Sequence, residues 1–187
     1  MARVTGKLTD LIRANDPIVK YEGEGVHILE QTSKPVVKIT DDIAELAARM
    51  EIIMNDANGI GLAAPQLGIL QRIFIYDIGD GMRAVVNPKI LQRKGEQIGS
   101  EGCLSIPGLR GDVPRANEIV LKGLDQFGKP VRIREEGLAA RVIQHEIDHL
   151  DGILFTSRAI EDTLHWAVPG EDDEDEEDEE NGPETRE

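Results

Sequence analysis

The stretch GLAARVIQHEIDHLDG, residues 137–152, constrains the chain most. Leu138, Val142, Ile143, Ile147 and Leu150 recur at helical spacing and form an apolar stripe, so the segment reads as a helix buried in the domain and closed by Gly152. At about 100° per residue, His145 and His149 differ by only about 40° around the axis, and both imidazoles can address one ion. A short H-E-x-x-H pattern also arises by chance among surface residues, but a buried histidine pair needs partners and a metal supplies one. Glu146 follows the first histidine directly, close enough to reach a metal-bound water without binding the metal, which is the placement of a proton shuttle.

The other elements are read around this helix. DDIAELAARMEIIMNDANG places Ile43, Leu46, Ala47, Met50, Ile53 and Met54 on one face, which predicts a helix capped by Asp41 or Asp42 and ended before Gly59. Ahead of it, HILEQTSKPVVKIT reads as extended segments broken near Pro35. GIGLAAPQLG is too glycine-rich for a regular element, whereas RIFIYDI, residues 83–86, 89–92 and 118–124, and KPVRIRE read as strands, with DQFG as a turn. Strands in the middle and a helix at each end predict an α+β domain rather than alternating βαβ units.

Composition narrows the function. Residues 171–180 are ten consecutive acids, and setting them aside brings the formal charge from −15 to −5. Such a run cannot bury apolar surface and repels itself, so residues 166–187 are expected to form a disordered acidic tail. A mildly acidic body offers no basic face for phosphate backbones, and direct nucleic-acid binding is not expected. No apolar run approaches a membrane span, and the first residues lack the pattern of a secretory or transit signal, so a cytoplasmic protein is expected. The single cysteine, Cys103, excludes an intrachain disulfide.

A catalytic metal site usually has three protein ligands and one open position, so two histidines need a third donor. Downstream candidates are Asp151, Glu161, Asp162 and His165; the upstream candidate is Cys103, in EGCLS, read as a loop whose glycine lets the backbone approach a ligand. A lone cysteine is as readily a small buried hydrophobe, and the residues alone leave the choice open.

The segments GIGLAAPQ, EGCLS and QHEIDHL, in that order, resemble the three signature motifs of the peptide deformylase family, and the similarity runs from about Gly25 to about Ile160. The resemblance implies an α+β fold in which antiparallel sheets surround a central helix carrying the histidines. Residues 1–24 are then an N-terminal extension and residues 25–165 the catalytic domain. It implies that Cys103, His145 and His149 hold one divalent ion, Fe2+ before Zn2+, Ni2+ or Co2+, and that Glu146 moves protons. Gln66 and the Leu104 backbone N–H would donate to the developing oxyanion. Ile60, Gly61 and Gly102 would bind the substrate backbone, while Leu138 and Val142, with Ile60 and Ile106, would form a methionine pocket rimmed by Arg110. The implied substrates are N-formylmethionyl nascent peptides. Transient proximity to the ribosome is implied as well, although the acidic run stands where some members carry a basic helix that docks there. Two other functions fit the residues without the resemblance: an H-E-x-x-H metallopeptidase with a downstream third ligand, and a non-catalytic metal-stabilised protein whose acidic tail captures basic partners.

Overall fold

A computed structural model of the chain describes residues 7–13 and 15–167; of the tail expected over residues 166–187, Trp166 instead pairs with Leu109 and Ala167 N–H donates to the Gly108 carbonyl at 2.7 Å, and the rest lies outside the described residues. The fold is α+β, with two antiparallel sheets and three α-helices among the described residues. Helices α1 (Glu24–Leu29) and α2 (Asp41–Asp56) come first, followed by strands β1 (Gly61–Ala63), β2 (Ile73–Tyr76), β3 (Arg83–Lys94), β4 (Gln97–Cys103), β5 (Ile106–Arg115), β6 (Glu118–Leu124) and β7 (Pro130–Glu136). Helix α3 (Gly137–Leu150) and the short strand β8 (His165–Trp166) complete the order. Five strands form one sheet in the order β1-β2-β3-β6-β7, and three form the other in the order β4-β5-β8. No helix among the described residues is long and apolar enough to cross a membrane.

The larger sheet is covered on both faces, which explains why every residue of β2 is buried. Alternation along the strand sends Ile73 and Ile75 towards Leu46, Met50, Ile53 and Met54 of α2, and Phe74 and Tyr76 towards Ala140, Val142, Ile143 and Ile147 of α3. A third apolar cluster, with Cys103, Ile106, Val113, Leu154 and Phe155, lies against the smaller sheet. Burying a side chain such as Phe74 contributes up to about 3 kcal/mol.

Several elements differ from the sequence reading. Residues His27–Leu29 belong to α1 rather than to an extended segment, because Leu29 is fully buried in a helical turn. The N-cap of α2 is Thr40, and Asp41 and Asp42 sit in its first turn, where their charge complements the helix dipole. The two strands expected at 83–86 and 89–92 are one strand, β3, with register shifts between Val86 and Lys89 and between Ile90 and Gln92. Asn87 takes φ 52° there, and its amide bridges the Val36 backbone N–H at 2.8 Å and carbonyl at 2.9 Å. GIGLAAPQLG is regular after all: Gly61–Ala63 pair with β2, and Ala64–Leu67 form a 3₁₀ helix ended by Gly68 at φ 79°. Nor is EGCLS a loop, since Glu101 to Cys103 end β4, with the register to β5 broken between Gly102 and Cys103.

Part of the segment set apart as an extension is stitched into the body. Val19 N–H donates to the Gln66 carbonyl at 2.7 Å and Tyr21 N–H to the Ser105 carbonyl at 2.8 Å, while Ile18 and Val19 are buried.

Candidate metal centre

Three side chains from two elements converge on one point. Cys103 ends β4, His145 and His149 lie one helical turn apart on α3, and their ligand atoms fall within 4.8 Å of one another. Cys103 Sγ is 3.2 Å from His149 Nε2. Glu101 Oε2 lies 2.9 Å from His145 Nδ1; a carboxylate only accepts, so it holds the proton on Nδ1 and leaves the Nε2 lone pair for an ion. One thiolate and two neutral imidazoles suit a divalent transition metal, and the donors present therefore fit the metal that the motif demands. Asp151, by contrast, is paired with Arg72 at 2.7 Å, and none of Asp151, Glu161, Asp162 and His165 belongs to the converging group.

The Cys103 sulfur and the Glu101 carboxylate draw positive charge to this point, which ring protons or a bound ion can supply. Burial would raise the Glu101 carboxyl, but hydrogen bonds from Arg115 and His145 outweigh it and hold the group at about 2. Burial likewise opposes ionisation of Cys103, yet the charge of His149 and the hydrogen bonds of both histidines bring its thiol well below the usual range. His145 is raised despite burial by Cys103 and Glu101. Glu146 is pushed up by burial to about 7. Its Oε2 is buried with no protein partner, which is where a water would be held.

Around the centre the other expected residues gather. A cavity of about 690 Å³ is lined by Ile60, Gly61, Gln66, Gly102, Leu104, Leu138 and Val142, together with Cys103, His145 and Glu146. Gln66 is buried, and its Oε1 accepts the Ala63 N–H at 2.9 Å, so its NH₂ turns towards Cys103 Sγ at 3.6 Å and Ser105 Oγ at 3.3 Å. A side chain at Gly61 would displace the site: a Cβ would collide with Glu146 Oε1 and come within 2.9 Å of Val142 Cγ1. Leu138 and Ile60 are exposed at the mouth, and Arg110, which covers Gly102, lines the cavity. Ile106 is the exception, being buried in the third apolar cluster and absent from the cavity lining.

Two contributors escaped the sequence reading. Lys20 lines the cavity and its Nζ donates to the Leu104 carbonyl at 3.1 Å, which ties down the segment bearing the Leu104 N–H. Glu101 was visible in EGCLS but had no role, because its partners Arg115, Arg141 and His145 are 14, 40 and 44 residues away, beyond any local spacing.

Known proteins resemble this chain in sequence and in fold. The polypeptide deformylase family model matches residues 15–164. The peptide deformylase of Pelotomaculum thermopropionicum is 47% identical over 148 residues, covering 79% of this chain and 94% of that relative. The peptide deformylase of Caldicellulosiruptor bescii is 48% identical over 140 residues, covering 75% and 82%. Among solved structures, the peptide deformylase of Thermotoga maritima superposes with a TM-score of 0.75 at 38% identity, covering 79% of this chain and 99% of that one. Matched by the family model over residues 15–164, nearly half identical to curated relatives and alike in fold to a solved one, the chain belongs to the polypeptide deformylase family.

Proposed function

We propose that Cys103, His145 and His149 hold the one divalent ion with which this member of the family, a metal-dependent hydrolase, removes N-formyl groups. The observation that carries the assignment is the approach of those three donors within 4.8 Å beside Glu146, whose Oε2 is buried without a protein partner. When bound, the ion supplies a Lewis acid that makes water a nucleophile near neutral pH. Glu146 accepts a proton from the attacking water as the water oxygen bonds to the formyl carbon. It then returns that proton to the amine nitrogen as the C–N bond breaks, so that formate and a free N-terminus leave. The Gln66 amide and the Leu104 backbone N–H donate to the carbonyl oxygen while it gains charge. A thiolate among the donors favours soft or borderline ions, and Fe2+ is the assignment, with Zn2+, Ni2+ and Co2+ as ions the same donors accept.

Substrate contact follows from the two sheets. The backbone at Ile60, Gly61 and Gly102 would pair with an extended peptide, whatever its sequence, a reading supported by β1 and β4 being sheet edges beside the cavity. Leu138 and Val142, with Ile60, offer the apolar surface for a methionine side chain. In this reading α3 is the central element, and its substrates are N-formylmethionyl nascent chains. Those substrates place the reaction in the cytoplasm and in transient proximity to the ribosome.

The test is formate release from formyl-methionyl peptides by protein purified anaerobically with iron, alongside metal analysis. One ion per chain with steady turnover is expected; a fully loaded but inactive protein would overturn the assignment. Replacing Gln66 by Ala is expected to lower kcat about 100-fold with metal content unchanged, measured by steady-state kinetics.

A further inference from the structure

An ion-pair chain runs from the metal centre to a neighbouring face of α3 and ends at the partly exposed Arg158. Glu101 receives both arms of the Arg115 guanidinium, Nε to Oε1 and Nη2 to Oε2, each at 2.9 Å, and Arg141 Nη1 adds a third donor at 2.8 Å. The remaining nitrogen of Arg115, Nη1, donates to Asp148 Oδ2. Asp148 is held in turn by Arg158, whose Nε donates to Oδ2 at 2.6 Å and Nη2 to Oδ1 at 2.8 Å. The side chains of Glu101 and Arg115 are 4% exposed and that of Asp148 9%, whereas Arg158 is 41% exposed. Its guanidinium opens onto a second cleft, lined also by Arg93, Glu96 and Asp151, which meets α3 on the face bearing Gln144 and Asp148.

We infer that Asp148 and Arg158 are positioning residues that set the affinity and geometry of the metal site through Arg115 and Glu101. The inference rests on the reading that His145 is a ligand. A carboxylate beside a ligand histidine fixes the ring's tautomer and direction, and here that carboxylate is fixed by Arg115. Arg115 can aim two nitrogens at Glu101 only while its third has a stationary acceptor. Asp148 is stationary because the two-point fork from Arg158 defines the plane of its carboxylate. Without Arg158, Asp148 keeps a single partner and can rotate. Arg115 then follows it, and the hold of Glu101 on the His145 ring slackens. The alternative is that the Arg158–Asp148 pair merely ties the turn after α3 to the helix. That role would change stability and leave the bound ion alone.

Metal affinity separates the two. In the full chain, competition for zinc against a chromophoric chelator is expected to show affinity about tenfold weaker in Arg158→Ala. Arg158→Lys is expected to lose less, since it keeps the charge but not the fork. The cobalt(II)-loaded variant is expected to show shifted visible absorption bands, and the metal-free variant to melt within about 3 °C of the metal-free wild type. Wild-type zinc affinity and an unchanged cobalt spectrum in Arg158→Ala would overturn the inference. So would weakened affinity accompanied by a collapse in metal-free melting, which is the signature of the structural alternative. A wild-type chain whose cobalt form shows no sulfur charge-transfer band would remove the metal-site reading and this inference together; a normal band with an unaffected Arg158→Ala would remove this inference alone.

Discussion

Glu146→Gln is expected to keep one ion per chain and lose about 10⁴-fold in kcat, with KM little changed. The substitution preserves the shape of a side chain that Gly61 and Val142 enclose, so the neighbours need not move. What disappears is the acceptor for the water proton and the donor for the leaving amine, about 5.5 kcal/mol of barrier. Burial supports the role, since it raises the Glu146 carboxyl to about 7, where a group can both take and give a proton near neutrality. Formate release measured beside metal content checks the result. Turnover within tenfold of wild type would mean that another group carries the proton.

Cys103→Ala is expected to lose both the ion and the activity. Two imidazoles remain, and the fall in affinity should exceed the roughly 100-fold typical of losing a residue that only orients a ligand. Dialysis followed by metal analysis reads the outcome directly. The same variant separates this site from an H-E-x-x-H peptidase with a downstream ligand, in which the ion would stay. Asp151, the nearest such candidate in sequence, is already engaged by Arg72 and stands apart from the converging donors. Full retention of metal in Cys103→Ala would sink the proposed ligand set.

Much of this site was legible because its chemistry is written in short spacings. The turn between His145 and His149 follows from helical geometry alone, and the strand at Ile73 to Tyr76 follows from its β-branched and aromatic content. The third donor was different. Nothing local distinguished Cys103 from a buried hydrophobe, and only the order of three motifs singled it out. The β4–β5 hairpin was overlooked because GSEGCLSIPGLRGD is rich in glycine and poor in β-branched residues. Its pairing depends on partners such as Ser100 with Asp112 and Glu101 with Gly111, and on the cover supplied by Phe155 and Leu154. The charged chain from Arg158 to His145 was invisible for a related reason: its links join residues from 10 to 44 positions apart, and their value appears only once four elements meet.

Because the donors are divided between α3, packed on the larger sheet, and β4, in the smaller one, an ion at this position would act as a clasp between the two halves, added to the hydrogen bonds and ion pairs that Arg141 and Glu101 already make across them. Folding and metal supply are then thermodynamically linked, since free ion at 100 times its dissociation constant raises unfolding free energy by about 2.7 kcal/mol. A cell short of the metal would hold a chain that is not only idle but easier to open and degrade.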